Sequence, residues 1–374
     1  MEKTINECFY QIQNGANIKQ GDVEGGFPIT RIETTANDKF NRDRMGYAGI
    51  TDISKYEAYV LEDGDLLMSH INSVQYLGRT VLYVKQPDEI IIHGMNLLRL
   101  KARRNIINPA YARYCFYGHT FRCQIGNITK KSVNQASFAV KDLKQIKIEV
   151  PSLDVQNKVV VILDRVQKII DMRNNELASL DDLIKARFVE LFGDPVSNSK
   201  GLKELTLPEL GELGRGVSKH RPRNAPELLG GEYPLIQTGE VSNAGLYIEN
   251  YENTYSELGY KQSKMWKAGT LCITIAANIA KTAILRFDAC FPDSVVGFKA
   301  NDKTNEIFIH YWFSFFQAIL EAQAPESAQK NINLKILSEL KVIAPDIEEQ
   351  NKFATFVVQV DKSKVVDIDK KDKL

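Results

Sequence analysis

The chain has 374 residues, 44% of them hydrophobic and 25% charged, which excludes a disordered polypeptide and leaves room for two domains with cores of their own. Its net charge of +1 argues against a non-specific polyanion binder without excluding DNA. No apolar stretch is long enough to span a bilayer, and the opening MEKTINECFY lacks a basic-then-apolar export signal. The five scattered cysteines, Cys8, Cys115, Cys123, Cys272 and Cys290, fit reduced thiols in a cytoplasmic protein better than a disulfide frame or a zinc site.

Residues 1–151 read as a block of short strands and a helix. Glu62-Asp63-Gly64-Asp65 is turn chemistry ahead of a strand at Leu66-Leu67-Met68. Thr80-Val81-Leu82-Tyr83-Val84 is rich in β-formers. Asn108-Pro109 opens a helix, with Asn as N-cap and Pro at its first position. Tyr111, Tyr114, Cys115, Gly118 and Ile125 are expected on one face of it. Ile146, Ile148 and Val150 alternate with polar residues, as in a half-buried strand.

From Ser152 to Leu191 there is neither proline nor glycine, and residues 152–192 read as one long helix. Leu163, Val166, Ile170, Arg173, Leu177, Leu180, Ile184, Arg187 and Leu191 recur at alternate spacings of three and four, a heptad seam interrupted by two arginines. At 1.5 Å per residue the helix is about 60 Å long. Phe192-Gly193-Asp194-Pro195 ends it, through a left-handed glycine and a proline that cannot continue.

Residues 193–345 repeat the first block. Gln135, Leu143, Lys147, Pro151 and Gln156-Asn157-Lys158 recur 194 positions on as Gln329, Leu337, Lys341, Pro345 and Gln350-Asn351-Lys352. Lys267-Ala268-Gly269-Thr270-Leu271 matches the turn at Gly64, and Lys281-Thr282-Ala283-Ile284-Leu285 matches Arg79-Thr80-Val81-Leu82-Tyr83. Gly64 to Thr80 is 16 steps and Gly269 to Thr282 is 13: the scaffold agrees while the loop differs, as expected if each loop reads something different. Asn305 caps a helix bearing Phe308, Tyr311, Trp312, Phe315, Phe316 and Ile319, which at helical spacing read as core rather than as a base-stacking surface. Residues 346–374 form a second, shorter helix with a stripe of Phe353, Phe356, Val357 and Val360, expected to pack antiparallel to the first and to fray from Asp367.

No catalytic motif is present: no phosphate loop, no dinucleotide-binding glycine turn, no Gly-x-Ser-x-Gly elbow and no metal-spaced histidine pair. Asp63 and Asp65 offer a metal site only if they are not the turn they resemble. The basic clusters Lys101/Arg103/Arg104, Lys130/Lys131 and Arg215/Lys219/Arg221/Arg223 are, taken singly, ordinary solvated surface.

The stretch Asp181-Asp182-Leu183-Ile184-Lys185-Ala186-Arg187-Phe188-Val189-Glu190-Leu191-Phe192-Gly193-Asp194-Pro195 resembles the central helix of type I restriction–modification specificity subunits. Gly214 to Arg223, followed by Tyr233-Pro234-Leu235-Ile236-Gln237-Thr238-Gly239, resembles the opening of one of their target recognition domains. Both Pro-x-x-x-x-Gln-Asn-Lys helix starts and the internal repeat agree with that family. The resemblance implies an α+β chain of two similar mixed target recognition domains joined by long antiparallel coiled-coil helices, related as a pseudo-two-fold repeat. It implies no catalysis and no cofactor in this chain. Each domain would read one half of a split, asymmetric site in double-stranded DNA, and the helices would set the spacer and hold two methyltransferase subunits. S-adenosylmethionine, ATP and Mg would belong to those and to restriction subunits that join them. The short C-terminal helix departs from the family pattern.

Residues nominated for DNA are His70, Asn72, Ser73, Gln75 and Arg79 in the first-block loop. Lys130, Lys131 and Gln135 follow near the end of that block. In the second block they are Lys219, His220, Arg221 and Arg223 in a Gly/Pro-bounded basic loop, then Gln237, Thr238, Asn278, Lys281 and Gln329. Lys and Arg suit phosphates or guanine edges and amides suit adenine. Arg173 and Arg187 are nominated for partner binding. Competing readings are a stand-alone tandem DNA-binding regulator, a coiled-coil scaffold, and an enzyme built on Asp63 or Asp65.

Overall fold

The computed structural model describes residues 1–21, 25–132, 135–220, 222–276, 279–323 and 332–368. The chain divides into two compact units, Met1–Asp171 and Met172–Leu374.

The first unit is built on a four-stranded antiparallel sheet in the order Phe9–Asn14, Leu97–Ala102, Leu66–Ser69, Thr80–Leu82. The side-chain alternation of its central strand explains why both faces are covered. Leu66 and Met68 join Phe9, Leu98, Leu100, Phe116 and Phe121 in one core, while Leu67 meets Val81, Tyr83 and Leu97 in another. Helices α1 (Pro109–Tyr117) and α2 (His119–Ile128) supply Phe116 and Phe121 to the first core. Asn108 caps α1, its Oδ1 accepting from the Ala110 N–H at 2.8 Å. The single helical face expected from Tyr111 to Ile125 is broken at Gly118, whose extended backbone (φ −64°, ψ 147°) ends α1 and starts α2. The alternating run around Ile148 is a strand, Lys147–Glu149, paired antiparallel with Glu2–Thr4.

The second unit repeats this plan. Its five-stranded sheet runs Gly211–Arg215, Val295–Ala300, Leu271–Thr274, Thr282–Leu285, Tyr247–Ile248, and a further sheet joins Asn253–Tyr255, Leu229–Leu235, Ala289–Cys290 and Met265–Trp266. The match extends to local devices. Gly64 and Gly269 hold the same left-handed turn, at φ 86° and 83°. The Thr4 N–H donates to Glu7 and the Thr206 N–H to Glu209, both at 2.7 Å. Phe308, Tyr311 and Trp312 on α4 (Glu306–Gln323) are buried as core.

The long helix, which is α3 (Leu153–Phe192), begins in the first unit and ends in the second. Gly193 terminates it at φ 77°, with its N–H on the Val189 carbonyl at 2.8 Å. The C-terminal helix, α5 (Ile347–Ile368), keeps helical backbone through Asp367 and Ile368, where fraying was expected; residues 369–374 lie outside the described residues. Within the second unit the two helices run antiparallel, since Phe188 packs on Phe353 (5.3 Å between centroids) while Asp181 pairs with Lys364 farther along. The seam differs from the expected heptad at its C-terminal end. The buried positions are Ile184, Phe188 and Phe192, not Arg187 and Leu191, because a straight helix of 3.6 residues per turn drifts off a seven-residue repeat. Arg187 lies at the surface on Glu190 (2.7 Å), and Arg173 pairs with Glu176.

The repeated Pro-x-x-x-x-Gln-Asn-Lys pattern has a structural cause. Gln156 and Gln350 are both 0% exposed. The Nε2 of Gln156 donates to the carbonyls of Pro151 (2.8 Å) and Ile106 (2.9 Å), and that of Gln350 to Pro345 (2.8 Å) and Lys303 (3.0 Å). The adjacent amides also pair, Asn108 with Asn157 at 2.8 Å and Asn305 with Asn351 at 3.1 Å. The start of each of these helices is thereby clamped to its own domain.

Candidate nucleic-acid interface

In the first unit the nominated loop hangs from the hairpin between Leu66–Ser69 and Thr80–Leu82. The Ser69 N–H donates to the Arg79 carbonyl at 2.9 Å, and the equivalent Thr274 N–H donates to Lys281 at 2.9 Å. Nine residues (70–78) span the first hairpin and six (275–280) the second, so the difference in length falls in the loops. Both loops close through a left-handed residue, Gly78 (φ 72°) and Ala280 (φ 58°). A Cβ on Gly78 would also press on Ile125 at 3.2 Å.

A three-stranded sheet assembles the rest of the patch. Ile71–Asn72 pairs with Ala136–Ser137, which pairs with Lys130–Lys131. It brings Asn72, Ser73 and Gln75 together with Lys130, Lys131 and Gln135; all but half-buried Asn72 are exposed. The Gln135 carbonyl accepts from the Ser132 N–H at 2.8 Å. Arg122 braces the loop from beneath, donating to the carbonyls of Leu77 (2.5 Å) and Gln75 (3.2 Å). Arg79 is committed to Asp38 (2.8 Å) and lies over the Tyr76 ring. His70 is 6% exposed, and its Nε2 lies 3.1 Å from Asn14 Nδ2. Burial pushes its pKa down to about 4, so it is neutral at pH 7. The structure thus buries His70 behind the loop, beside Phe138.

In the second unit Lys219, His220 and Arg223 are exposed. Their loop is pinned at three points. The Lys219 and His220 N–H groups both donate to Gln262 Oε1 (2.6 and 3.0 Å), the Val217 carbonyl accepts from Ser263 (2.8 Å), and Arg223 pairs with Asp293. Gln237 and Thr238 begin the short helix Thr238–Asn243. This helix start adjoins the anchored loop, since the Ile236 N–H reaches the Cys290 carbonyl and the Val217 N–H the Phe291 carbonyl. Lys281 sits instead on the wall of a crevice of about 580 Å³ with Asp181, Lys185 and His310. The calls at Arg221, Asn278 and Gln329 lie outside the described residues.

The supporting residues Arg122, Asn14, Gln262 and Asp293 had no signal in the sequence, because each acts across a separation of 40 positions or more. Asp65, considered for a metal, is buried 3.8 Å from the equally buried Arg99 and accepts from the Glu62 N–H at 2.8 Å. Asp63 accepts from the Lys85 N–H and lies near Arg104. Among the described residues no cluster of His, Cys, Asp or Glu is arranged to hold a metal ion. No described helix is long and apolar enough to cross a membrane. Cys8, Cys272 and Cys290 are buried free thiols, Cys115 is half-buried and Cys123 exposed.

A duplicated mixed α/β unit, in which one scaffold carries two different polar loops and a long helix leads from one copy to the next, is the architecture of a tandem recognition protein. The type I restriction modification DNA specificity domain matches residues 2–181 and again residues 200–373, and the chain belongs to that family. It is 28% identical over 381 residues to the putative type I restriction enzyme MjaX specificity subunit of Methanocaldococcus jannaschii, covering 99% of this chain and 88% of the relative. The S subunit of the type I restriction–modification system of M. genitalium shares the fold at TM-score 0.55 and 14% identity, over 100% of this chain and 91% of its own. A chain from a study of complex assembly and conformational transition of the type I R-M system matches at TM-score 0.50 and 16% identity, over 98% and 91%.

Proposed function

We propose that each repeat of this specificity subunit reads one half of a bipartite, asymmetric duplex site, and that the chain acts without catalysis of its own in a cytoplasmic methyltransferase complex. The observation that carries the reading is the pair of equivalent hairpins at Ser69/Arg79 and Thr274/Lys281, which share a register while their loops differ in length and side chains. One rigid scaffold with two interchangeable loops suits two different half-sites, which need not be palindromic.

In this reading Lys130, Lys131, Lys219, His220 and Arg223 meet phosphates, and Ser73, Gln75, Gln135 and Gln237 reach base edges. Buried His70 acts by positioning the loop. The length of α3 enters the spacer between half-sites. The helices dock the methyltransferase subunits, with Arg173 and Arg187 on that surface, and restriction subunits join the assembly. S-adenosylmethionine, ATP and Mg are used by those partners.

The test is co-expression with the methyltransferase subunit from the same locus, followed by methylation-site sequencing with residues 70–79 replaced. A change confined to one half of the recognised sequence supports the reading. An unchanged sequence contradicts it.

A further inference from the structure

A side-chain lock present in the first unit is vacated in the second. In the first unit the Asp38 carboxylate pairs with Arg79 (2.8 Å), where the hairpin loop rejoins its strand, and the Asp38 carbonyl accepts from Arg113 (3.3 Å). The Tyr117 hydroxyl donates to the Thr80 carbonyl at 2.9 Å. Burial and the neighbouring Asp38 carboxylate raise the pKa of that phenol. A carboxylate and an aromatic ring thus join α1, the hairpin and the helical segment Ile32–Asp38.

Three separate alignments locate the same space in the second unit. The matched hairpin bonds make Lys281 the counterpart of Arg79. The helix caps Asn108 and Asn305 make His310 and Ser314 on α4 the counterparts of Arg113 and Tyr117. The Arg31 N–H donates to Thr34 Oγ1 (2.8 Å) as the Gln237 N–H does to the Glu240 carboxylate (3.0 Å), each at the start of a segment packed on the hairpin strands. That match, 206 positions apart, sets Ala244 where the first unit has Asp38. All four counterparts, Ala244, Lys281, His310 and Ser314, line the crevice of about 580 Å³. Markers from three parts of the chain therefore meet in one cavity. It lies where alanine and serine stand in place of aspartate and tyrosine, and large-to-small exchanges leave space that the surroundings only partly close.

The cation survives the exchange and its carboxylate does not. Among the described residues the Lys281 ammonium has no ion pair or hydrogen bond. The acids on the same walls are held elsewhere or discouraged from charge. Asp181 pairs with Lys364, Glu249 lies 3.8 Å from Arg286, and burial raises the pKa of Asp361. His310, with Nδ1 2.9 Å from Thr282 Oγ1, is neutral at pH 7 because burial holds its pKa at about 4. Val241, Ala244 and Leu246 add apolar wall. A crevice of this size with few polar groups suits a small molecule, and a cavity left by a missing side chain takes up a molecule that matches what is missing.

We propose that this crevice binds a small aromatic carboxylate, with the carboxylate on Lys281 in place of that of Asp38 and the ring beside Ser314 in place of that of Tyr117. The site involves no DNA contact, so the inference does not rest on the half-site reading and its failure leaves that reading untouched.

The probe is 4-fluorophenylacetate, followed by fluorine NMR line broadening as the full chain is titrated. The expected result is saturable binding with a Kd of about 1 mM or tighter. The neutral 4-fluorophenylacetamide should bind at least tenfold more weakly, and so should the carboxylate to Lys281→Gln. Ala244→Asp with Ser314→Tyr rebuilds the lock of the first unit; it should bind no probe and unfold at no lower urea than the parent, read on Trp266 and Trp312 fluorescence. If that double variant unfolds earlier, Lys281→Gln, which fills no space, carries the test. No saturable binding up to about 10 mM probe overturns the assignment. So do equal binding of acid and amide, binding unchanged by Lys281→Gln, and binding that persists in a stably folded double variant.

Discussion

Replacing Gln156 or Gln350 by leucine tests the clamp between helix and domain, and the two sites should respond unequally. Gln156→Leu keeps the volume but removes two donated bonds and the acceptor of the Asn108 N–H (2.8 Å). A buried N–H left without a partner costs about 1–3 kcal/mol and each carbonyl about 1 kcal/mol, against roughly 1–2 kcal/mol returned by burying leucine in place of an amide. The net loss is about 3 kcal/mol. Gln350→Leu loses the same two donated bonds, but its Oε1 accepts from the Thr304 hydroxyl (2.8 Å), and a hydroxyl can rotate to another acceptor where a backbone N–H cannot. The two carbonyls there cost about 2 kcal/mol and leucine returns roughly 1–2 kcal/mol, so the net loss is about 1 kcal/mol or less. Both tryptophans, Trp266 and Trp312, lie in the second unit. In urea, Gln350→Leu should therefore shift the tryptophan fluorescence transition, while Gln156→Leu shifts only the part of the 222 nm dichroism that belongs to the first unit. Melting should fall by about 6–12 °C for Gln156→Leu. A loss under about 1 kcal/mol for Gln156→Leu, or a larger effect at Gln350, would refute the reasoning.

Ala280 holds a left-handed backbone at φ 58° where its repeat partner is Gly78; Ala280→Gly should stabilise the second unit by about 1 kcal/mol in urea unfolding. Burial holds the pKa of His70 and His310 down at about 4 and that of His93 at about 3. The unfolded chain takes up protons below about pH 6.5 that the folded chain refuses, so stability is fullest above that pH and falls as pH drops toward 4. Each of the first two contributes a loss of about 2 kcal/mol between pH 7.5 and 5, and His310→Gln should remove its share from that loss in parallel urea titrations. Lys219→Ala should weaken DNA binding about equally for all sequences and lower the salt slope of binding by about 1, as read by anisotropy across a salt series; an altered sequence preference with an unchanged slope would contradict a phosphate contact.

The repeat was legible because its markers are local. The turn glycines Gly64 and Gly269, the caps at Asn108 and Asn305, and the 40-residue span without glycine or proline each act within a few residues of themselves. What the sequence hid is what long-range pairing decides. Nothing near Lys130 says that its strand shares a sheet with Ile71–Asn72. A polar residue exposed on a loop and one buried behind it look alike until the fold exists, and so His70 stood beside Gln75 among the nominated residues. Gly118 broke a helix that its hydrophobic period continues through, since the period is the same on both sides of a break. The seam error at Arg187 has the same origin as the success at Ile184: a heptad template fits two turns and then drifts.

The most direct test of the central claim is single-molecule methylation sequencing of host DNA after co-expression of this chain with the methyltransferase subunit of its locus. The account predicts one split, asymmetric methylated sequence that appears only when both chains are present, and a change in one half alone when residues 70–79 are replaced. A methyltransferase that modifies the same sequence with or without this chain would contradict it.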